Sequence, residues 1–101
     1  HLKEQTTTTS QIKIDDFVKI TGIIPDVFSI DVEGSEFNVI RGMAEVTKRH
    51  RPLIYVSIHE HLMADMYGTK IDQIFNFIRE LGYEDRYIAT DHEAHWLFKP
   101  K

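Results

Sequence analysis

The apolar residues of this chain follow two patterns, short continuous runs and one longer stretch with helical spacing. Residues 27–30 and 53–58 are almost unbroken apolar runs, which are typical of strands covered on both faces. Residues 71–81 carry apolar side chains at the i, i+3, i+4 and i+7 positions, the spacing of an amphipathic helix. The pattern therefore predicts two buried strands followed by a helix.

Capping residues divide the rest of the chain. We expect Asp15 to cap a short helix, and Ser35 to cap a longer one that ends in a basic, solvated turn at residues 48–51. Residues 61–68 are expected to form a loop, and Thr69 is expected to cap the helix that follows. These boundaries place a helix between the two predicted strands and another after the second.

Residues 83–89 and 94–99 look like two further strands on either side of a turn at residues 90–93, so they predict an antiparallel hairpin. The order strand, helix, strand, helix and hairpin predicts an α/β fold whose first two strands are parallel. Residues 1–11 read as a polar lead-in, and residues 12–101 as a single α/β domain.

Composition narrows the possible functions. The 101 residues are 42% hydrophobic, enough for one domain with a core, and the absence of cysteine excludes disulfides and thiol catalysis. The net charge is −4, and residues 48–51 are the one basic cluster, so we expect no nucleic-acid partner. We also expect no membrane span, and we take the cytoplasm as the default location.

Acidic residues stand where the first predicted strand ends. Asp31 follows that strand directly, at the point where open α/β sheets bind ligands, and an acid there is costly unless it is paired or bound. We therefore interpret Asp31 as functional. Gly34 is expected to supply a tight turn. Glu33 and Glu36 can be explained by the favourable effect of negative charge in the first turn of a helix, an interpretation we favour for Glu36.

His59 and Glu60 stand at the end of the second predicted strand, and parallel pairing of the two strands would bring them close to Asp31. Two carboxylates and an imidazole suit a divalent metal or general-base catalysis. A zinc-protease helix is rejected, because the position four residues after His59 holds Met63. The other histidines nearby are interpreted as loop or turn residues: His61, His92 and His95.

Residues 30–36 (Ile-Asp-Val-Glu-Gly-Ser-Glu), followed by residues 39–42 (Val-Ile-Arg-Gly), resemble the signature of the FkbM family of S-adenosylmethionine-dependent methyltransferases. The resemblance covers about residues 12–99. Three more segments match that family in order: Ile14-Asp15-Asp16-Phe17, Arg51-Pro52 before the strand that ends near Glu60, and Gly82-Tyr83 before the hairpin.

The resemblance implies the C-terminal half of a Rossmann-like class I methyltransferase sheet. Of the family's strand order 3-2-1-4-5-7-6, this chain would supply strands 4, 5, 6 and 7, with the last two as an antiparallel hairpin. The cofactor would be S-adenosylmethionine, and its main site is expected upstream of His1, in an N-terminal half without which the domain is incomplete. The strand at residues 27–31 would then have a bare edge, which invites that half or a second copy of the chain.

The implied reaction is methylation of a hydroxyl on a small molecule or sugar, although we do not expect this chain to be competent alone. Asp31 would hold the acceptor hydroxyl or a metal, Glu60 with His59 second would act as the base or a further ligand, and Glu33 would orient. A divalent metal would lie at Asp31 and Glu60. Two alternatives stay open: a non-catalytic α/β assembly module, and a metal-dependent hydrolase that uses Asp31, Glu33 and Glu60.

Overall fold

Four strands form one mixed sheet in the computed structural model, which describes residues 13–101. The predicted polar lead-in at residues 1–11 lies outside the described residues. None of the described helices is long and apolar enough to cross a membrane. The elements, in chain order, are α1 (Ile14–Thr21), β1 (Val27–Ile30), α2 (Glu36–Arg41), α3 (Ala44–His50), β2 (Leu53–Ile58), α4 (Glu60–Tyr67), α5 (Ile71–Glu80), β3 (Tyr83–Thr90) and β4 (Ala94–Pro100).

The strands lie in the order β1-β2-β4-β3. β1 and β2 are parallel, with Ile30 opposite Val56, whereas β4 is antiparallel to both β2 and β3. The predicted mixed α/β fold, the parallel first pair and the terminal hairpin are therefore confirmed. β1 is an edge strand of the described sheet, since it pairs there with β2 alone.

The core lies between the sheet and the helices that cross it. The predicted apolar stripe of α5 is confirmed, because Ile74 and Ile78 are fully buried. Tyr83 is also buried, and its hydroxyl donates a 2.7 Å hydrogen bond to the Pro52 carbonyl. The buried apolar residues that form one cluster are Ile30, Ile40, Met43, Ile54, Val56, Ile58, Met63, Ile74, Ile78, Tyr83 and Phe98.

Asp15 caps a different helix from the one predicted. It lies in the first turn of α1, which begins at Ile14, so it cannot be the N-cap of that helix. Its carboxylate oxygens accept hydrogen bonds of 3.0 Å and 2.9 Å from the backbone amides of Glu45 and Val46. These amides open α3 and have no partner within that helix, so Asp15 ties α1 to α3.

Two helix boundaries also differ from the prediction. The helix expected after Ser35 is two short helices, α2 and α3, and residues 48–50 of the expected basic turn are the last turn of α3. The expected loop at residues 61–68 is mostly helix α4, which ends at Gly68. The apolar residues of α4 span only about two turns, and Met63 alone among its residues is buried, so the sequence pattern gave little helical signal.

Thr69 does not cap α5. Lys70 occupies the N-cap position, and its backbone amide donates a 2.7 Å hydrogen bond to the Gln73 side chain, which supplies the reciprocal half of a capping box. The Thr69 hydroxyl instead contacts the Met63 carbonyl of α4 at 3.4 Å. Thr69 therefore belongs to the end of α4 rather than to the start of α5.

Candidate active site

The carboxyl ends of β1 and β2 lie side by side, and polar side chains follow both strands. Asp31 comes directly after β1, and His59 directly after β2. Because the strands are parallel neighbours, the residues that follow them are close in space. His59 Nε2 lies 3.4 Å from Asp31 Oδ1. The structure thus brings together the acid and the imidazole that the sequence singled out.

The turn after Asp31 is tight, as predicted. Glu33 has a φ of 48° and Gly34 a φ of 109°, both in the region that favours glycine. A Cβ added at Gly34 would lie 3.0 Å from the Leu62 Cβ and 3.1 Å from the Leu62 carbonyl carbon, so α4 leaves no room for a side chain. Glu33 itself is exposed.

Glu36 has a larger part in this site than its position in the sequence indicated. The expected role was a charge that favours the first turn of a helix, but the side chain is 0% exposed. Its Oε2 accepts a 3.1 Å hydrogen bond from the Gly34 amide and lies 2.7 Å from His59 Nδ1. Its Oε1 is buried and has no hydrogen-bond partner within residues 13–101.

His59 is the centre of the cluster. Burial of its ring lowers its pKa, but the hydrogen bond with Glu36 and the charges of Glu36, Glu93 and Asp31 outweigh that effect, so the pKa is raised above 6.5. Since Nδ1 faces the buried Glu36, Nε2 is the nitrogen that faces the exposed Asp31 and the half-buried Glu93. This arrangement fixes which ring nitrogen is presented to a ligand.

Glu60 is the first residue of α4, and its side chain is exposed. With His59, it lines a cavity of about 400 Å³ between α4 and the β3–β4 turn. The cavity has apolar walls from β2, α4, α5 and β4 and a polar rim of histidines and acids. The polar side chains that line it include His59, Glu60, His61 and Glu93.

Glu93 was expected to be only a turn residue, but it reaches the cluster. β4 is antiparallel to β2 with Ala94 opposite Ile58, so Glu93 lies beside His59. Its Oε1 is 3.7 Å from His59 Nε2. The position of Glu93 could have been predicted from the implied strand order, because that order places the last strand of the hairpin next to β2.

Asp91 holds the turn that carries Glu93. Its Oδ1 lies 2.9 Å from His95 Nε2 and accepts hydrogen bonds from the backbone amides of Glu93 and His92, and these bonds lower its pKa to about 2. His95 Nδ1 in turn contacts the Ser57 hydroxyl at 2.9 Å. Because Ser57 is only 5% exposed, we assign this chain of contacts to structure rather than to nucleophilic catalysis.

Two sets of side chains in the described region have ligand atoms within 4.8 Å of one another, the spacing that a metal ion requires. One set is Asp31, His59 and Glu93, and the other is Asp91, Glu93 and His95. Glu60, which the sequence analysis paired with Asp31 as a metal ligand, belongs to neither set.

A mixed α/β domain with a four-stranded sheet is consistent with a methyltransferase-like protein. The family comparison then identifies the chain: the model of the Methyltransferase FkbM domain matches residues 2–84 of the 101, so this protein belongs to that family. The resemblance read from residues 30–36 and 39–42 is thereby confirmed. Comparison with curated proteins and with solved structures gives no significant match.

Proposed function

We propose that this chain forms the acceptor side of an S-adenosylmethionine-dependent methyltransferase that methylates a hydroxyl group on a small molecule or sugar. The main observation that supports this proposal is the cluster of Asp31 and His59 where two parallel strands end, in a chain that belongs to the FkbM family. Methyltransferases of this kind in general use S-adenosylmethionine. The family therefore favours methyl transfer over hydrolysis at these acids.

The strand order supports the proposed position of this chain within a larger sheet. The order β1-β2-β4-β3 is the order 4-5-7-6 that the second half of a Rossmann-like methyltransferase sheet would have. In that assignment the free edge of β1 pairs with a first half that carries most of the cofactor site. Val27 is 54% exposed at that edge, so the strand has apolar surface to offer.

The residues of the cluster fit only part of the cofactor. Acids such as Asp31, Glu33 and Glu93 suit ribose hydroxyls and a sulfonium charge, but they repel the carboxylate of the cofactor's methionine moiety. Anionic groups are usually bound by backbone amides at glycine-rich turns that open a helix, and we assign that role to the first half. We therefore assign only acceptor-side roles to this chain.

The roles we propose follow from position. Methylation of a hydroxyl oxygen releases its proton, so a base must face the acceptor. Asp31 would hold the hydroxyl, Glu60 at the cavity wall would take the proton with His59 beside it, and Glu33 would orient the acceptor. A cavity of about 400 Å³ falls in the usual size range of small-molecule sites, and its acidic rim favours neutral or cationic acceptors over phosphorylated ones.

The test is methyl transfer from radiolabelled S-adenosylmethionine to a panel of sugars and hydroxylated small molecules, using the longest parent protein that contains this chain. We expect Asp31→Asn to lower kcat/KM by about 100-fold, in the range found when one positioned catalytic group is removed. Asp65→Asn is the matched control, because Asp65 is exposed on α4 and does not line the cavity. Equal loss in both variants, or none in either, would contradict the assignment.

A second candidate function is that of a non-catalytic assembly module, and the exposed apolar surface around β1 favours it. Apolar residues around β1 are exposed, including Ile23 at 57% and Val27 at 54%, as in a strand that docks against a partner. This reading predicts strong self-association and no ligand at the strand ends. The methyl-transfer assay separates the two, because the module would transfer nothing with any acceptor.

A further inference from the structure

We propose that Asp31, His59 and Glu93 form a binding site for one divalent cation, with Glu36 supporting His59 from behind. The three ligands come from three separate segments: the end of β1, the end of β2 and the β3–β4 turn. Any catalytic role of the cation rests on the proposed function, whereas its binding does not. The site differs from the pair expected from sequence, because Glu93 takes the place of Glu60.

The distances suit a metal ion after a small contraction. His59 Nε2 lies 3.4 Å from Asp31 Oδ1 and 3.7 Å from Glu93 Oε1. Adjacent ligands of a six-coordinate ion with bonds of about 2.1 Å are about 3 Å apart, so each ligand atom need move by less than about 1 Å. Two carboxylates and one imidazole match the ligand preferences of Mn²⁺ or Fe²⁺.

Glu36 supplies a second, independent observation. A histidine that binds a metal almost always donates its other ring N–H to a carboxylate or carbonyl, which orients the ring. Here that partner is Glu36, fully buried, with its Oε2 2.7 Å from His59 Nδ1. Its Oε1 has no hydrogen-bond partner within residues 13–101, and a buried carboxylate in that state is costly without positive charge nearby.

Negative charge is in excess around His59, and a bound cation would neutralise it. Three carboxylates, Asp31, Glu36 and Glu93, surround a single imidazole. Within residues 13–101, each of these acids pairs with His59, and none pairs with a lysine or an arginine. A divalent ion on Nε2 would place positive charge where the three acids converge.

The neighbouring set of Asp91, Glu93 and His95 is a weaker candidate. Asp91 Oδ1 is already occupied by His95 Nε2 and two backbone amides. His95 Nδ1 contacts a serine hydroxyl and not a carboxylate. This set therefore satisfies its own hydrogen bonds, whereas the Asp31 set leaves charge and ligand atoms open.

A cation at this site would face the cavity that we assign to the acceptor, since His59 and Glu93 line that cavity. Three protein ligands leave coordination positions free for water or for an acceptor hydroxyl. Coordination would lower the pKa of that hydroxyl and fix its oxygen. The base role at Glu60 would then be complementary to the metal, because Glu60 lines the same cavity but lies outside the ligand set.

The test is titration of the purified full chain with Mn²⁺, following the free ion by electron paramagnetic resonance. We expect one bound ion per chain, with affinity reduced about tenfold or more in Asp31→Asn and Glu93→Gln, and by about 10–100-fold in the supporting variant Glu36→Gln. His61→Gln is the matched control, because His61 lines the cavity but belongs to neither ligand set. Circular dichroism checks that each variant is folded.

Absence of binding to the wild-type chain at about 1 mM Mn²⁺ would overturn the site. Loss of binding in Glu60→Gln but not in Glu93→Gln would overturn it as well. Failure of this site is separable from failure of the proposed function. Methyl transfer that persists in the presence of chelators would contradict a catalytic role of the cation and leave the proposed methyltransferase function intact. Mn²⁺ binding without methyl transfer would support the cation site and contradict the proposed function.

Discussion

At the scale of single residues, the site depends on a few positions where sequence type and surroundings disagree. Asp31 was singled out because an acid directly after a buried strand is costly. Glu36 was not, since an acid in the first turn of a helix is common and its burial depends on packing that a sequence does not display. Glu93 needed the strand register, because it is 34 residues from His59 in sequence and beside it in space.

Gly34→Ala tests the tight turn. A Cβ there would meet the Leu62 backbone at 3.1 Å, and the φ of 109° is strained for any residue with a side chain. We expect the free energy of unfolding in urea to fall by about 2–4 kcal/mol, the sum of backbone strain and overpacking.

Gly68→Ala is the control for that substitution, because Gly68 has a φ of 64° but nothing within 4 Å of an added Cβ. It should cost only the left-handed conformation, about 1–2 kcal/mol. Equal costs at the two positions would show that the contact between the turn and α4 is not tight.

At the scale of elements, the strands could be predicted and one helix could not. Continuous apolar runs marked β1 and β2, and the polar turn at residues 90–93 marked the hairpin. α4 was expected as a loop, because its apolar residues span only about two turns and a pattern that short does not separate a helix from a loop. The hydrogen bonds between Asp15 and α3 could not be predicted either, since they join positions about 30 residues apart.

Asp15→Ala tests these hydrogen bonds. It removes acceptors for the Glu45 and Val46 amides, so we expect a loss of about 1 kcal/mol in the free energy of unfolding, as for other helix caps. Asp16→Ala, at an exposed position in the same helix, should change stability by less than about 0.5 kcal/mol. A larger loss of stability in Asp16→Ala than in Asp15→Ala would contradict the role assigned to the Asp15 hydrogen bonds.

Asp85 provides a pH test of the contact between α5 and β3. Hydrogen bonds of 2.8 Å and 3.1 Å from the Arg79 guanidinium lower the pKa of Asp85 below 3.8. A lowered folded-state pKa stabilises the fold above the unfolded-state value and loses that effect as the pH falls through the folded-state value. Wild type should therefore exceed Asp85→Asn in stability at pH 7, and the gap should close below about pH 4.

The measurement for Asp85 is urea unfolding of both proteins from pH 7 to pH 2. Asp65→Asn serves as the control, because Asp65 is exposed on α4 and has no ion pair among the described residues. A gap between wild type and Asp85→Asn that stays constant over this pH range would show that the contact with Arg79 does not stabilise the fold.

At the scale of the whole molecule, the described sheet has an exposed apolar edge. β1 pairs on one side only, and large apolar residues at its start and in the segment that leads into it are exposed: Ile23, Ile24 and Val27. Edge strands of this kind associate unless charged residues block them. The sequence predicted this edge through the strand order that its family resemblance implied.

Val27→Lys tests whether that edge associates. We expect the chain alone to self-associate at about 100 µM in analytical ultracentrifugation, a concentration at which exposed strand edges associate, and Val27→Lys to be mainly monomeric. Ile88→Lys, at a 46% exposed position of the other edge strand, β3, should leave association unchanged. A monomeric wild-type chain, or dissociation by Ile88→Lys alone, would contradict the assignment of β1 as the docking edge.

The most direct test of the acceptor-side assignment is isothermal titration of S-adenosylhomocysteine into this chain and into the longest parent protein that contains it. We predict binding by the parent and none by the 101-residue chain, because we assign the cluster at Asp31 and His59 to the acceptor and most of the cofactor site to the other half. Binding to the isolated chain as tight as to the parent would contradict the division into two halves, and no binding to either would contradict the methyltransferase assignment.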